Sequence, residues 1–500
     1  MSIFVRTSTV TGTNGLAVTV EAHIATGLPG FTILGRPDDV CRESRERVRA
    51  ALLSSGFHWP ARRITINLSP SGTRKVGSAL DLAMAIAILA ADDQIEVAEL
   101  DDIAFIGELG LDGSIRAVPG VAPMAAVHRE RMVVVPPANA READIVQPRR
   151  VEVASSLVDV VAAITCARPW PVRVAEPPVV DAPSMIDLAD VRGQTAARLG
   201  LELSAAGGHH LLLVGPPGAG KTMLAQRLPG LLPELDADTA LEVMMVRSAV
   251  GESLPVGGQM SMPPIRMPHH SASHVSMVGG GSANLRPGEV SLAHGGVLFL
   301  DELGEFAPST LDALRQPLEE GVIRLSRASA TAVLPARFTL VGATNPCPCG
   351  GGPPGSCECD ETALARYRRR FSGPLVDRFD VRVVVNRPGP DELLGSGSSE
   401  CTALVRERVL ATRAIAIERQ GTLNARLSGP MLDEFARPTA AATNLLRAEL
   451  EAGRLSGRGL HRIRRVARTL ADRDGVRGDV GDEHVALALS LRARIAARHR

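Results

Sequence analysis

At 500 residues the chain exceeds one ordinary core, so two or three domains are expected. An apolar content of 45% is ample for burial, yet no run reaches the ~18 apolar residues of a membrane span. With 55 basic and 55 acidic side chains, wholesale electrostatic capture of nucleic acid is excluded and only local basic patches remain. The start, MSIFVRTSTVTGTNG, lacks a basic stretch followed by an apolar one, so no secretory signal is expected. The cytosol is the default compartment, where the seven cysteines are not expected to form disulfides.

Residues 1–165 alternate strand-like runs (GLAVTVEAHI, RITINLS, RMVVVPP) with helix-like ones (DDVCRESRERVRAALLSSG, SALDLAMAIAILAA), which predicts a compact α/β or α+β domain. Residues 166–184, CARPWPVRVAEPPVVDAPS, read as a Pro-rich linker with little to pack. A second α/β region spans 185–387, where HHLLLVG, GGVLFLDE and RFTLVGATN are spaced for a parallel sheet. From 388 to 500 the pattern is mainly helical, with long Arg-rich amphipathic stretches.

In LLLVGPPGAGKTML a G-x-x-x-x-G-K-T run follows an apolar strand and precedes a helix, the context a phosphate loop requires. The loop of Gly215, Pro216, Pro217, Gly218, Ala219 and Gly220 would cradle the phosphates of ATP through the N–H groups of its non-proline residues, the prolines lending only shape. Lys221 would reach the β/γ oxygens and Thr222 would ligate Mg²⁺. Of the 55 Lys and Arg residues only Lys75 and Lys221 are lysines, and one of them stands at this position. Some 80 residues on, GGVLFLDELGEF brings Asp301 to a strand end to hold Mg²⁺ and Glu302 to polarise an attacking water. ATP hydrolysis is the expected chemistry.

The stretches GPPGAGKT, PPIRMPHHSASHVSMVGGG, RPGEVSLAHGGVLFLDELGEF, LDALRQPLEEG, LSRASATAVLPARFTLVGATNPCPCG, SGPLVDRFD and LSGRGLHRIRRVARTLAD are dense from 190 to 475. Together they resemble the AAA+ ATPases, specifically the magnesium-chelatase-like ComM/YifB family. The resemblance implies a P-loop AAA+ parallel-sheet core and a C-terminal helical lid. It implies Asn345 as the sensor that orients the lytic water, and Arg378 as an arginine finger reaching the neighbouring subunit's site. Arg458 would be the second sensor on the lid, with Arg462 as the alternative. A finger acting in trans implies a ring, with a homohexamer as the expected form.

INLSPSGTRKVGSALDLAMAIAIL and IAFIGELGLDGSIRAVPGV resemble the Lon-protease-like domain that this family carries at its N-terminus. In the protease a serine opens the helix and a lysine follows the second motif. Here Ala79 takes the nucleophile position beside Ser78, and Val121-Ala122-Pro123 carries no lysine. A Ser–Lys pair needs a lysine as base, so a non-proteolytic scaffold or DNA-contacting module is expected.

Cys347, Cys349, Cys357 and Cys359 form two C-x-C pairs just after Asn345, a set that suits tetrahedral, structural Zn²⁺. C-x-C is tighter than the usual C-x₂-C, and a loop of reduced cysteines stays open as the alternative. His269, His270 and His274 raise a second metal reading, with no carboxylate or cysteine nearby in sequence. Arg286 in a loop of the kind that faces the pore in related rings, and the Arg-rich stretch 454–473, are candidate DNA contacts.

Three readings of the activity follow: a ring motor acting on branched or single-stranded DNA, as a helicase driving branch migration of recombination intermediates; a chelatase-type motor assisting metal insertion through a partner; and an ATP-dependent protein remodeller. The first follows from the family resemblance, and net charge adds nothing to it.

Overall fold

The computed structural model describes residues 3–96, 100–148, 150–173, 186–254, 261–281, 285–327, 330–351, 357, 359–371, 373–394 and 399–493. Among these, no helix is long and apolar enough to cross a membrane.

The N-terminal part is built on a seven-stranded sheet of β1 (Ile3–Thr11), β2 (Asn14–Ala25), β3 (Gly30–Leu34), β4 (Arg63–Ser69), β5 (Ile103–Phe105), β8 (Met132–Val135) and β9 (Val151–Val153), in the order β3-β4-β2-β1-β5-β8-β9. A short ribbon of β6 (Glu108–Leu109) and β7 (Ile115–Arg116) stands beside it. Pairing is antiparallel at β1/β2 and β2/β4 and parallel elsewhere, so the domain is mixed α+β. β4 shows why these residues form strands: Ile64, Ile66 and Leu68 alternate inward, fully buried, with polar residues between them. Helix Asp81–Ala91 is apolar all round and correspondingly buried along nearly its whole length.

The Ser78 hydroxyl donates to a Glu108 carboxylate oxygen. Lys75, fully buried, donates from Nζ to the Pro70 and Thr73 carbonyls. Among the described residues no bond joins Ser78 to Lys75, and Ala79 lies in the core. The expected linker is described only to residue 173, its remainder lying outside the described residues. The described part does pack, contrary to expectation: Trp170 leans on the domain core and Arg173 pairs with Asp144 at 2.7 Å.

The second sheet comprises β10 (Leu211–Val214), β11 (Ile265–Arg266), β12 (Val297–Leu300), β15 (Thr339–Thr344) and β16 (Val381–Val384), all parallel, in the order β11-β12-β15-β10-β16. A hairpin of β13 (Val322–Arg327) and β14 (Ala330–Pro335) lies outside it. Leu211 and Leu213 enter one core cluster, Leu212 and Val214 another, as the two-residue period of a strand covered on both faces requires. The cluster on the first face also holds Val405, Val409, Leu446, Ile463 and Val466 from the C-terminal helices. The mainly helical 388–500 region therefore shares a core with the sheet.

Helix Gly457–Arg473 is capped by Ser456, whose hydroxyl accepts from Gly459 N at 3.1 Å. Its apolar stripe, Ile463, Val466, Ala467, Leu470 and Ala471, keeps helical spacing and faces that core. Several of its arginines are engaged within the chain: Arg462 with Asp380, Arg464 with Asp433, Arg465 with the Leu427 carbonyl and Arg468 with Asp472. A DNA-binding face on this helix therefore has few arginines to offer. The two halves of the chain meet where helix Val121–Ala126 packs on helix Ala237–Val250, with Ala122 N donating to Ser248 Oγ at 3.1 Å. Gly12 N also donates to the Leu285 carbonyl at 2.9 Å.

Candidate nucleotide site

The C-terminal ends of β10, β12 and β15 converge, because parallel strands place their ends on one edge. After β10 the chain turns through Gly218 and Gly220 at φ 75° and 84°, conformations that favour glycine. A Cβ at either would meet nothing within 4 Å, so the loop lines open space. Lys221, at the start of helix Lys221–Ala225, donates from Nζ to the Gly215 carbonyl at 2.7 Å, the Pro216 carbonyl at 3.0 Å and Asn345 Oδ1 at 3.1 Å. Burial lowers its pKa, opposed by the nearby Asp301 and Glu302 charges. The Thr222 hydroxyl donates to Asp301 Oδ2 at 2.6 Å. Glu302 N donates to Asp301 Oδ1 at 2.9 Å.

These groups line a cavity of about 470 Å³ with Pro217, Gly218, Ala219, Gly220, Met223 and Thr344. A cationic amine, open glycine turns and a hydroxyl–carboxylate pair suit a nucleoside triphosphate with its Mg²⁺, the latter falling to Thr222 and Asp301. A second cavity of about 240 Å³ shares Asp301 and Glu302 and is closed by Met267, Pro268, His269 and His270.

Several supporting residues gave no signal in the sequence. Tyr367 OH donates to the Asn345 carbonyl at 2.9 Å and bonds the Thr344 hydroxyl at the same distance. Gln194 Nε2 donates to the Ala219 carbonyl at 3.3 Å, and Arg387 to the Pro217 carbonyl at 3.2 Å. All three depend on contacts far apart in the chain. The histidines border the same site: His270 Nδ1 lies 3.1 Å from Glu302 Oε2, a carboxylate distant in sequence.

The cysteine pairs do come together. Ligand atoms of Cys347, Cys349, Cys357 and Cys359 lie within 4.8 Å of one another, the one such metal-fitting group among the described residues. Burial and the neighbouring thiols push the Cys347 thiol up.

Arg378, Arg458 and Arg462 lie elsewhere. Arg378 and Asp380 precede β16 and so stand at the sheet edge opposite the phosphate loop. Arg378 is paired with Glu319. Arg462 donates to the Arg378 carbonyl at 2.9 Å and Asp380 Oδ1 at 2.7 Å, on that same edge. Arg458, one helical turn earlier, is exposed. Arg286 N and O both bond Gly280, closing a loop whose tip lies outside the described residues.

A doubly covered parallel sheet with a phosphate loop, an acidic strand end and a polar residue on the intervening strand defines a P-loop ATPase of the AAA+ class. Family models agree across the chain: "Magnesium chelatase, subunit ChlI" matches residues 187–393, "Subunit ChlI of Mg-chelatase" 20–139, and "Magnesium chelatase, subunit ChlI C-terminal" 399–492. YifB of Escherichia coli is 42% identical over 98% of this chain and 96% of its own length. Competence protein ComM of Haemophilus influenzae is 42% identical over 97% and 96%. A more distant match, 25% identical over 35% of this chain and 21% of its own length, is a probable DNA helicase, MCM9, of rice. The chain belongs to the magnesium-chelatase-like ComM/YifB family of AAA+ ATPases.

Proposed function

We propose that the chain is the subunit of a homohexameric, ATP-hydrolysing ring that acts in the cytosol on branched or single-stranded DNA, as a helicase driving branch migration of recombination intermediates. The observation that carries the ATPase half is the convergence of Lys221, Thr222, Asp301, Glu302 and Asn345 on one cavity. In this reading Lys221 binds the β/γ-phosphates, Thr222 and Asp301 hold Mg²⁺, Glu302 polarises the attacking water, and Asn345 orients it.

The ring is supported by where the arginines stand. Arg378 precedes β16, so a strand's length, ~13 Å at 3.3 Å per residue, separates it from its own phosphate loop. From there it serves a neighbouring subunit's nucleotide and not its own. Arg458, exposed one helical turn from Arg462, is read as the second sensor on the lid, with Arg462 the alternative. The N-terminal domain is read as a non-proteolytic, Lon-like scaffold, since Ser78 is committed to Glu108 and Lys75 to backbone carbonyls.

The DNA half is supported by the relatives' names, a competence protein and a probable DNA helicase. A second reading, a motor for metal insertion through a partner, is supported by the chelatase-subunit family models. Steady-state ATP hydrolysis alone, with single-stranded DNA and with a four-way junction separates them, Glu302→Gln being the blank. Stimulation with junction movement supports the DNA motor; turnover indifferent to DNA rejects it.

A further inference from the structure

The four cysteines form a cage seated on the nucleotide site. Cys347 Sγ lies 3.3 Å from Cys349 Sγ and 3.5 Å from Cys357 Sγ, and Cys349 Sγ lies 3.7 Å from Cys357 Sγ. A tetrahedral ion with Zn–S bonds of ~2.3 Å needs sulfur–sulfur edges of about 3.8 Å, close to what these thiols already span. A disulfide needs ~2.0 Å, so these are four separate ligands. An all-sulfur tetrahedron selects a soft ion such as Zn²⁺ over Mg²⁺.

The cage touches the machinery on two sides. It begins two residues after Asn345, whose side chain accepts from Lys221 Nζ at 3.1 Å. Gly350 N donates to the Cys347 carbonyl at 3.0 Å, and its φ of 88° brings the backbone against the phosphate loop. A Cβ at Gly350 would stand 2.9 Å from Pro217 Cδ. A Cβ at Gly351 would stand 2.6 Å from Pro346 Cγ and 3.3 Å from Cys347 Sγ. The turn between the metal cage and the phosphate loop therefore has no spare room.

We infer that Cys347, Cys349, Cys357 and Cys359 bind one Zn²⁺, and that the closed cage is a clasp that holds Pro217 and Asn345 in register for nucleotide turnover. Binding expels the thiol protons and fills all four positions with sulfur, so the ion fixes geometry and takes no part in the chemistry. The clasp half rests on the ATPase reading above; the metal half does not.

The test uses the full chain. Elemental analysis is expected to give one zinc per chain, and Co²⁺ exchange to give the thiolate charge-transfer and tetrahedral d–d bands of a four-sulfur site. Cys357→Ser/Cys359→Ser is expected to lose both, with kcat for ATP falling ~10- to 100-fold and KM rising less, the scale of a misplaced catalytic group. Chelation of the natural chain should mimic this and added Zn²⁺ reverse it. Gly350→Ala removes no thiol, so it should keep the zinc and still lose kcat. A natural chain without zinc and without the Co²⁺ bands overturns the metal site. Unchanged kcat in zinc-free chain, or in zinc-loaded Gly350→Ala, overturns the clasp. If the natural chain hydrolyses no ATP, the ATPase reading has failed separately. Fluorescent-nucleotide affinity with and without zinc then decides the clasp, a severalfold weakening supporting it and equal affinities rejecting it.

Discussion

His270 Nδ1 stands 3.1 Å from Glu302 Oε2, and Glu302 itself sits at a φ of 50°. A non-glycine residue in the left-handed region is held there by its surroundings, at a cost of about 1–3 kcal/mol. The carboxylate proposed to polarise water is thus engaged by an imidazole across the smaller cavity. His270→Ala should free it and raise turnover without DNA about 2- to 5-fold, the worth of a part-exposed ion pair. An ATP titration of kcat checks this, and a fall instead of a rise would mean that His270 aims Glu302 and does not restrain it.

Thr222 and Asp301 share one hydrogen bond of 2.6 Å at the place assigned to Mg²⁺. Thr222→Ala and Asp301→Asn each remove one oxygen that an octahedral ion would use. Turnover at low Mg²⁺ is expected to drop about 100-fold in each, and excess Mg²⁺ to recover Thr222→Ala better than Asp301→Asn. Magnesium titrations at saturating ATP measure it. Equal, Mg²⁺-independent losses would place the ion elsewhere.

Arg378 pairs with Glu319 in its own chain, so a purely structural role has to be separated from a role in trans. Glu319 is largely exposed but the Arg378 side chain is largely buried, so Arg378→Ala should lower stability by about 1–2 kcal/mol and leave the chain folded. Its turnover should nonetheless fall about 10³-fold. Mixing Arg378→Ala with Glu302→Gln chains creates interfaces with both groups intact, and a fraction of the activity should return. Mixtures as inactive as the two parents would put Arg378 outside the site.

The nucleotide site was legible because its parts are local. A glycine turn, a lysine and a threonine lie in eight consecutive residues, and Asp301 and Glu302 follow an unbroken apolar strand. The cysteine cage was legible for the same reason, its ligands spanning 13 residues (347–359). Contacts made by the fold were not. His270 and Glu302 are 32 positions apart, and only the parallel pairing of β11 with β12 makes them neighbours. The amphipathic pattern of the C-terminal helices shows that a face is buried without showing against what. Ile463 and Val466 prove to be buried against the ATPase sheet. The arginines of that stretch looked like a solvated or DNA-binding face until their carboxylate and carbonyl partners, 30 to 80 residues away, were in place.

Glu142 lies at the seam between the two halves, bonded by Asn139 Nδ2 at 3.2 Å and by the Ser248 hydroxyl. Burial is the main cause that raises its pKa from 4.5 to about 7. In the folded chain it therefore keeps a proton that the unfolded chain has released between those values. The folded state binds more protons in that window, so stability falls as pH rises from 4.5 to 7 and levels off above it. Glu142→Gln presents a neutral side chain at every pH. It should match the natural chain near pH 5 and exceed it near pH 8 by on the order of 1–3 kcal/mol. Thermal unfolding across that range measures the difference. Parallel curves for the two chains would show that the carboxyl is already ionised in the folded state, and that the seam tolerates the charge.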